Sequence, residues 1–400
     1  MKRWLSVVGI GEDGLDALSP AARALIATAE VLVGGERHLA MIPKAHPAAR
    51  VRWGKPFAES YAEIESHAGR RVVVLTSGDP MYYGAGATLA RRMGNALGVV
   101  IPAPGAFSLA AARMRWPLQD TTCLSLHGKP AERLLLHVGP GARLLILSDS
   151  GETPATVAAM LSARGYGDSA MTVLEHMGGP REARHDATAA TWGNRRAADL
   201  NTVAVECVAA PGAAILSRVP GLPDDAFEHD GKMTKREVRA VTLSALAPLP
   251  GRLLWDVGLG CGSVAIEWMR AGGSAIGIES DPARAAMAAR NAAALGVPEL
   301  EIVHGEAPAA LAGLRRPDAV FIGGGIGAPG LFEACREALK PGGVLVANTV
   351  TIEGEAALAA LHARHGGEMS RISVSRAAPV GRLTGWRPQM AVTQWTITKR

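Results

Sequence analysis

Aromatic residues are scarce in this chain: five Phe, four Tyr and eight Trp among 400 residues. That scarcity argues against an aromatic-rich β-sandwich and against the base-stacking platforms of single-strand nucleic-acid binders. Cysteine is rarer still. Cys123, Cys207, Cys261 and Cys335 lie far apart with no CxxC or Cys/His metal spacing, so they read as reduced thiols of a cytoplasmic protein. No long run of one charge sign occurs, because 42 basic residues are interspersed with 37 acidic ones. The net charge of +5 therefore suits a mixed solvated surface as well as an anionic substrate. No apolar run has the length that crosses a bilayer. The short one after Lys2 and Arg3 meets Glu12 and Asp13 at once, and reads as a first strand rather than a signal peptide.

What is plentiful is small and apolar: 48% hydrophobic residues and 47 glycines, enough for large, tightly packed α/β layers. Four hundred residues exceed one ordinary core, so two domains are expected. In the first half, Trp4–Val8 predicts a strand ending in Gly9-Ile10-Gly11, and Ser19-Pro20 opens a helix. The run Arg71–Thr76 predicts a buried parallel strand that breaks into Ser77-Gly78-Asp79-Pro80. Further strand–loop–helix units follow to about Pro154. Beyond that, Met171–Glu175, Arg184–Ala189 and Thr202–Val208 are strands with little room for helices, so the sheet turns antiparallel. From Ala209 to Lys232, prolines and glycines stop the periodicity. The expected organisation is a domain over 1–210, a linker over 211–232 and a second domain over 233–400.

The second half alternates strand and helix, which predicts a doubly wound, Rossmann-like parallel sheet. Its most informative stretch is Leu253–Ser263, LLWDVGLGCGS. A hydrophobic strand runs into Asp256, then Gly258, Gly260 and Gly262, then a helix start. Glycines let the backbone turn tightly and approach a ligand, and the helix N-terminus offers unpaired N–H groups. GxGxG is not the dinucleotide spacing GxGxxG, so the turn alone leaves the nucleotide open, and a tight turn without a ligand is open too. Glu279, at the end of the next strand, stands where a carboxylate accepts ribose hydroxyls, although a surface helix cap beside Asp281-Pro282 would read the same. Gly305-Glu306-Ala307 follows the third strand. Gly323-Gly324-Gly325 follows the fourth and leaves room at the carboxyl end of the sheet.

These residues together resemble the class I S-adenosylmethionine (SAM) methyltransferase fold. The resemblance implies that Asp256 organises the turn and that Gly258, Leu259, Gly260, Cys261 and Gly262 face the methionine part. It also implies that Glu279 holds the ribose and that Glu306 with Ala307 borders the adenine. FIGGG stands where amino-methylating DNA enzymes carry a DPPY-type tetrad. Met233–Arg239, Gly305–Pro308 and Asp318–Gly325 are similar to the corrin-ring carbon-15 methyltransferase and decarboxylase family, which adds Thr234 to the SAM contacts. The first half resembles the class III tetrapyrrole methyltransferase family, a two-lobed fold with SAM between the lobes. The resemblance rests on VVGIGEDG at Val7–Gly14, SGDPMYYG at Ser77–Gly84, GAFSLAAAR at Gly105–Arg113 and SLHG at Ser125–Gly128. It implicates Ile10, Asp79, Met81, Ser108 and His127 in SAM binding.

Both resemblances on one chain imply a bifunctional, cytoplasmic enzyme of cobalamin biosynthesis with two SAM sites. The first half would methylate carbon 5 of a precorrin. The second would methylate carbon 15 and decarboxylate the ring C acetate. The implied partner is the tetrapyrrole, with no nucleic acid or membrane, in a homo-oligomer. No Ser/His/Asp triad is visible and no catalytic acid or base can be named. Lys235, Arg236, Arg239, Arg376, Arg382 and Arg387 are candidates for the carboxylates of such a substrate. An RNA methyltransferase is the alternative; a non-catalytic SAM-binding scaffold and a nicotinamide oxidoreductase fit the glycine pattern less well.

Overall fold

The computed structural model describes residues 3–54 and 59–400. The chain forms two compact units, Met1–Ala131 with His137–Ala214, and Ile215–Arg400 with the short piece Glu132–Leu136.

The first unit holds two sheets. One is fully parallel: β1 (Leu5–Ile10), β2 (Val31–Gly34), β3 (Ala49–Arg52), β4 (Val72–Ser77) and β5 (Leu97–Ile101), in the order β3-β2-β4-β1-β5. β4 is a continuous apolar run because helices cover both faces of a parallel sheet, and Val72–Leu75 are buried. The helix Pro20–Ala27 starts as its sequence demands, with Ser19 accepting from the Ala22 N–H and Pro20 at the first position. The other sheet comprises β6 (Thr122–Ser125), β7 (Arg143–Leu147), β8 (Ala170–Glu175), β9 (Ala183–Thr188) and β10 (Asn201–Glu206), in the order β6-β7-β10-β8-β9. Only β6 and β7 run parallel; the expected change to antiparallel pairing falls at β10.

The second unit is a seven-stranded sheet. β11 (Leu253–Val257), β12 (Ser274–Glu279), β13 (Glu301–His304), β14 (Ala319–Ile322) and β15 (Val344–Thr349) are parallel. β16 (Glu368–Ile372) and β19 (Val392–Thr398) close it antiparallel, in the order β13-β12-β11-β14-β15-β19-β16. Alternate residues of each strand feed two cores. Leu254, Phe321 and Val346 pack with Leu243 and Ile266 on one face. Trp255, Val257, Val320 and Trp395 pack with Phe332 and Leu358 on the other. Strand order reverses at β11, so the crevice of this sheet opens between the ends of β11 and β14.

Two features differ from the sequence expectations. The tail, where the sequence predicts two edge strands at Arg371–Ser375 and Met390–Thr398, contains a further ribbon, β17 (Ser375–Val380) and β18 (Leu383–Pro388), paired only with each other. And the stretch expected as a linker is divided. From Ile215 onward it belongs to the second unit, where Leu222 and Phe227 are buried in the core. Proline and glycine mark irregular backbone, not loose backbone, and here two buried arginines bind it. Arg239 reaches the Leu222 carbonyl and, at 2.6 Å, Glu267; Arg270 reaches the carbonyls of Leu216 and Ser217.

Candidate functional site

In the first unit the loops at the carboxyl ends of β1 and β4 meet those of the second sheet around a cleft of about 850 Å3. Gly9 lets the two loops touch: a Cβ there would lie 1.8 Å from the Gly78 carbonyl oxygen. Ile10, Asp79, Ser108 and His127 all line the cleft; Met81, half exposed on the same loop, is not among the lining residues. Asp79 Oδ1 accepts the Met81 N–H at 2.8 Å and so shapes the loop. His127 is exposed and lies 3.3 Å from Asp149. The scarce aromatics gather here: Tyr82, Tyr83 and Phe107 form one wall, with ring centroids 5.0–5.8 Å apart. Burial, with the Cys123 thiol beside it, pushes the Tyr82 phenol up to about 12.

Sequence reasoning missed a polar cluster on the cleft wall. Glu12 pairs with Arg37 and, at 3.3 Å, with His176 Nδ1. Burial works against the Glu12 charge, but Arg37 and His176 outweigh it and hold the carboxyl below its usual range. Arg37 also donates to Ser77 Oγ at 2.8 Å, and His38 Nε2 lies 3.0 Å from that same oxygen. Burial first, and Arg37 second, push His38 down to about 4. These residues come from four separate segments with no shared spacing, so no local pattern announces them.

In the second unit Gly258, Gly260 and Gly262 have φ of 77°, 56° and 83°, a left-handed backbone costly for any residue with a Cβ. At Gly258 nothing lies within 4 Å of where a Cβ would stand, so the space above the turn is open. Asp256 is buried beneath the turn and its Oδ2 accepts the Ala265 N–H at 3.0 Å, tying strand to helix. Burial, opposed by that bond and assisted by the Glu279 charge, raises its carboxyl to about 8. Glu279 accepts from the Gly260 N–H at 2.7 Å and the Asp281 N–H at 2.9 Å. A carboxylate offers about four lone-pair positions, so two remain for a diol. The Gly305 N–H bonds to the Glu279 carbonyl, which sets the exposed Glu306 and half-buried Ala307 beside it. Leu259 packs onto Gly277 and Cys261 is buried, so both side chains point inward and only their backbone faces the turn's ligand side. Thr234 is half-buried, its carbonyl held by Arg239 at 2.7 Å.

Of the basic candidates, Arg239 is fully buried on Glu267 and Asp224, which removes it from any substrate surface. Arg376 is paired with Asp224 and Glu237. Arg382 and Arg387 are exposed on the ribbon β17–β18.

A family model for tetrapyrrole (corrin/porphyrin) methylases matches residues 5–192, and one for a precorrin methyltransferase domain matches residues 225–399. The precorrin-6Y C(5,15)-methyltransferase (decarboxylating) of a Sinorhizobium species is 50% identical over 398 residues, covering 99% of this chain and 96% of that protein. The chain belongs to the precorrin-6Y C5,15-methyltransferase (decarboxylating) family. The family's Mycobacterium tuberculosis H37Rv member is 42% identical over 399 residues, covering 98% of this chain and 99% of the relative. The crystallised C-terminal domain of precorrin-6Y C5,15-methyltransferase from Rhodobacter capsulatus is 49% identical and covers 46% of this chain and 100% of that one, with a TM-score of 0.44. This membership makes the chain a SAM-dependent, decarboxylating methyltransferase, and it gives the RNA methyltransferase alternative no support.

Proposed function

We propose that this chain methylates a precorrin at carbons 5 and 15 and removes the ring C acetate carboxyl, using two SAM sites in two different folds. The first unit acts at carbon 5; the second acts at carbon 15 and decarboxylates. The observation that carries the reading is the coexistence of a glycine cradle in the second unit and a separate loop-lined cleft in the first. The second cradle suits SAM: an open left-handed turn, a helix N-terminus and a carboxylate with spare lone pairs.

SAM supplies an electrophilic methyl group. The chain's own residues then have to hold an electron-rich ring carbon in line with it, because the nucleophile is already in the substrate. In the first unit Ile10, Asp79, Ser108 and His127 take the cofactor, with Met81 beside them on the loop that Asp79 shapes, and the exposed Tyr82 and Tyr83 offer aromatic surface to a conjugated macrocycle. In the second, Glu279 holds the ribose, the Gly258–Gly262 backbone holds the methionine part, and Thr234, Glu306 and Ala307 border the cofactor. Gly324 and Gly325, with open space around them, leave room for the acceptor.

We also propose that the enzyme is cytoplasmic, works without nucleic acid and is a homo-oligomer. Support for association comes from the ribbon β17–β18, where Leu383 and Trp386 are 78% and 77% exposed. Sedimentation of the intact chain decides it. The function itself is tested by incubating the chain with methyl-labelled SAM and the precorrin. Labels at carbons 5 and 15 with release of carbon dioxide are expected; a label at any other position, or no carbon dioxide, contradicts the reading.

A further inference from the structure

Arg37 stands on the short helix Glu36–Ala40 and lines the first unit's cleft with about a third of its side chain exposed. A guanidinium carries five N–H donors. Three are engaged among the described residues, on Glu12, on Ser77 Oγ at 2.8 Å and on His38 Nε2 at 3.1 Å. A guanidinium can only donate, so its bond to His38 Nε2 needs that nitrogen bare and the ring neutral, in keeping with the burial that pushes His38 down to about 4. His38 is thus a buried, uncharged prop behind Arg37 rather than a rival cation.

Glu12 is the only carboxylate within 4 Å of Arg37 among the described residues, and it is shared. His176 Nδ1 lies 3.3 Å from it and Arg181 3.9 Å. Two guanidinium groups on one carboxylate leave the cluster net positive whatever the state of His176. Of the cleft's other acids, Asp199 is paired with Arg196 at 2.8 Å, while Asp79 keeps its charge with its Oδ1 on the Met81 N–H of its own loop. Arg91 and Lys129 add further positive charge to the lining. The result is a propped guanidinium, partly open to a cleft, with donors to spare and a single, shared carboxylate beside it.

We infer that Arg37 is the carboxylate anchor of the first unit's cleft, with Glu12 holding its place until a ligand carboxylate arrives. The inference rests on the proposed reading, since both the macrocycle and SAM carry carboxylates; the test tells them apart. Binding to the intact chain is measured without turnover, by absorbance titration for the precorrin and by calorimetry for SAM. Arg37→Ala should weaken one of the two at least tenfold. Arg37→Lys, which keeps the charge but loses the planar fork, should recover part of it. Glu12→Gln, which removes the internal competitor, should bind that ligand as well as or better than the unaltered chain.

A structural ion pair would make Arg37→Ala and Glu12→Gln equally harmful; the anchor makes them opposite. Equal losses, or binding within twofold of the unaltered chain in Arg37→Ala for both ligands, would overturn the assignment. Labelled methyl at carbon 5 is followed in parallel. Its absence from the unaltered chain's product would remove the reading of this unit, while the binding arms would still judge the anchor.

Discussion

Asp256 and Glu279 are both acidic and both buried in the second unit, yet their surroundings divide them. Glu279 accepts two backbone N–H bonds and keeps lone pairs for a ligand; Asp256 accepts one and has no exposed oxygen to offer. Replacing Glu279 by Ala should weaken SAM binding at the second site by about 10- to 100-fold for each charge-assisted bond lost, at roughly 1.5–3 kcal/mol apiece. Unchanged affinity in calorimetry would remove Glu279 from the ribose. Asp256 predicts a pH effect instead. Its carboxyl is raised to about 8 in the folded unit from an ordinary value of 3.8, so the folded state holds the proton more tightly. Stability from this group is full below about pH 4 and is lost as pH rises toward 8, with a slope of at most about 1.4 kcal/mol per pH unit. Asp256→Asn should flatten that part of the pH dependence in denaturant titrations. An identical slope in both proteins would contradict it. The identity of these two positions was legible from strand–glycine–helix spacing. Their division of labour was not, because burial depends on how helix Ser263–Arg270 packs.

At the scale of elements, the clearest lesson is Arg239. On the sequence it stands with Lys235 and Arg236 as a surface cation for substrate; in the fold it is the buried clasp of the second unit's entry segment. It bonds Glu267, Asp224 and the carbonyls of Leu222 and Thr234, and its guanidinium lies 4.9 Å from the Phe227 ring centre. Breaking a buried pair by removing one partner leaves the other charge stranded. Arg239→Leu should therefore destabilise the second unit by about 3–5 kcal/mol, read as a shift of the urea midpoint; a change below about 1 kcal/mol would mean that the clasp is dispensable. The ribbon β17–β18 escaped sequence reading for a physical reason. Pro379 and Pro388 argue against sheet positions, but a two-stranded ribbon has a free edge on each strand where a proline costs no ladder bond. Parallel strands buried on both faces, such as β4 and β11, were legible because they are written as continuous apolar runs; β3, an exposed edge strand with alternating arginines, was not.

For the whole molecule, the unit boundary carries its own prediction. A fragment starting at Ile215 retains Leu222, Phe227 and the Leu216 and Ser217 carbonyls that accept from Arg270. One starting at Gly231 loses these four residues. Burying a Leu or Phe side chain contributes about 1.5–3 kcal/mol, so the shorter fragment should be less stable by several kcal/mol or fail to fold. Equal urea midpoints would show that residues 215–230 are ornamental. The two-part organisation could be read from alternating motifs on either side of the proline- and glycine-rich stretch. The cleft cluster of Glu12, Arg37, His38 and His176 could not, because only the packed first unit brings those segments together. The central claim is that one chain carries two cofactor sites in two folds. Calorimetric titration of the intact chain with SAM tests it most directly. Two equivalents per chain are predicted, with one of the two weakened in Glu279→Ala and the other unchanged; a single equivalent in the active, unaltered enzyme would contradict it.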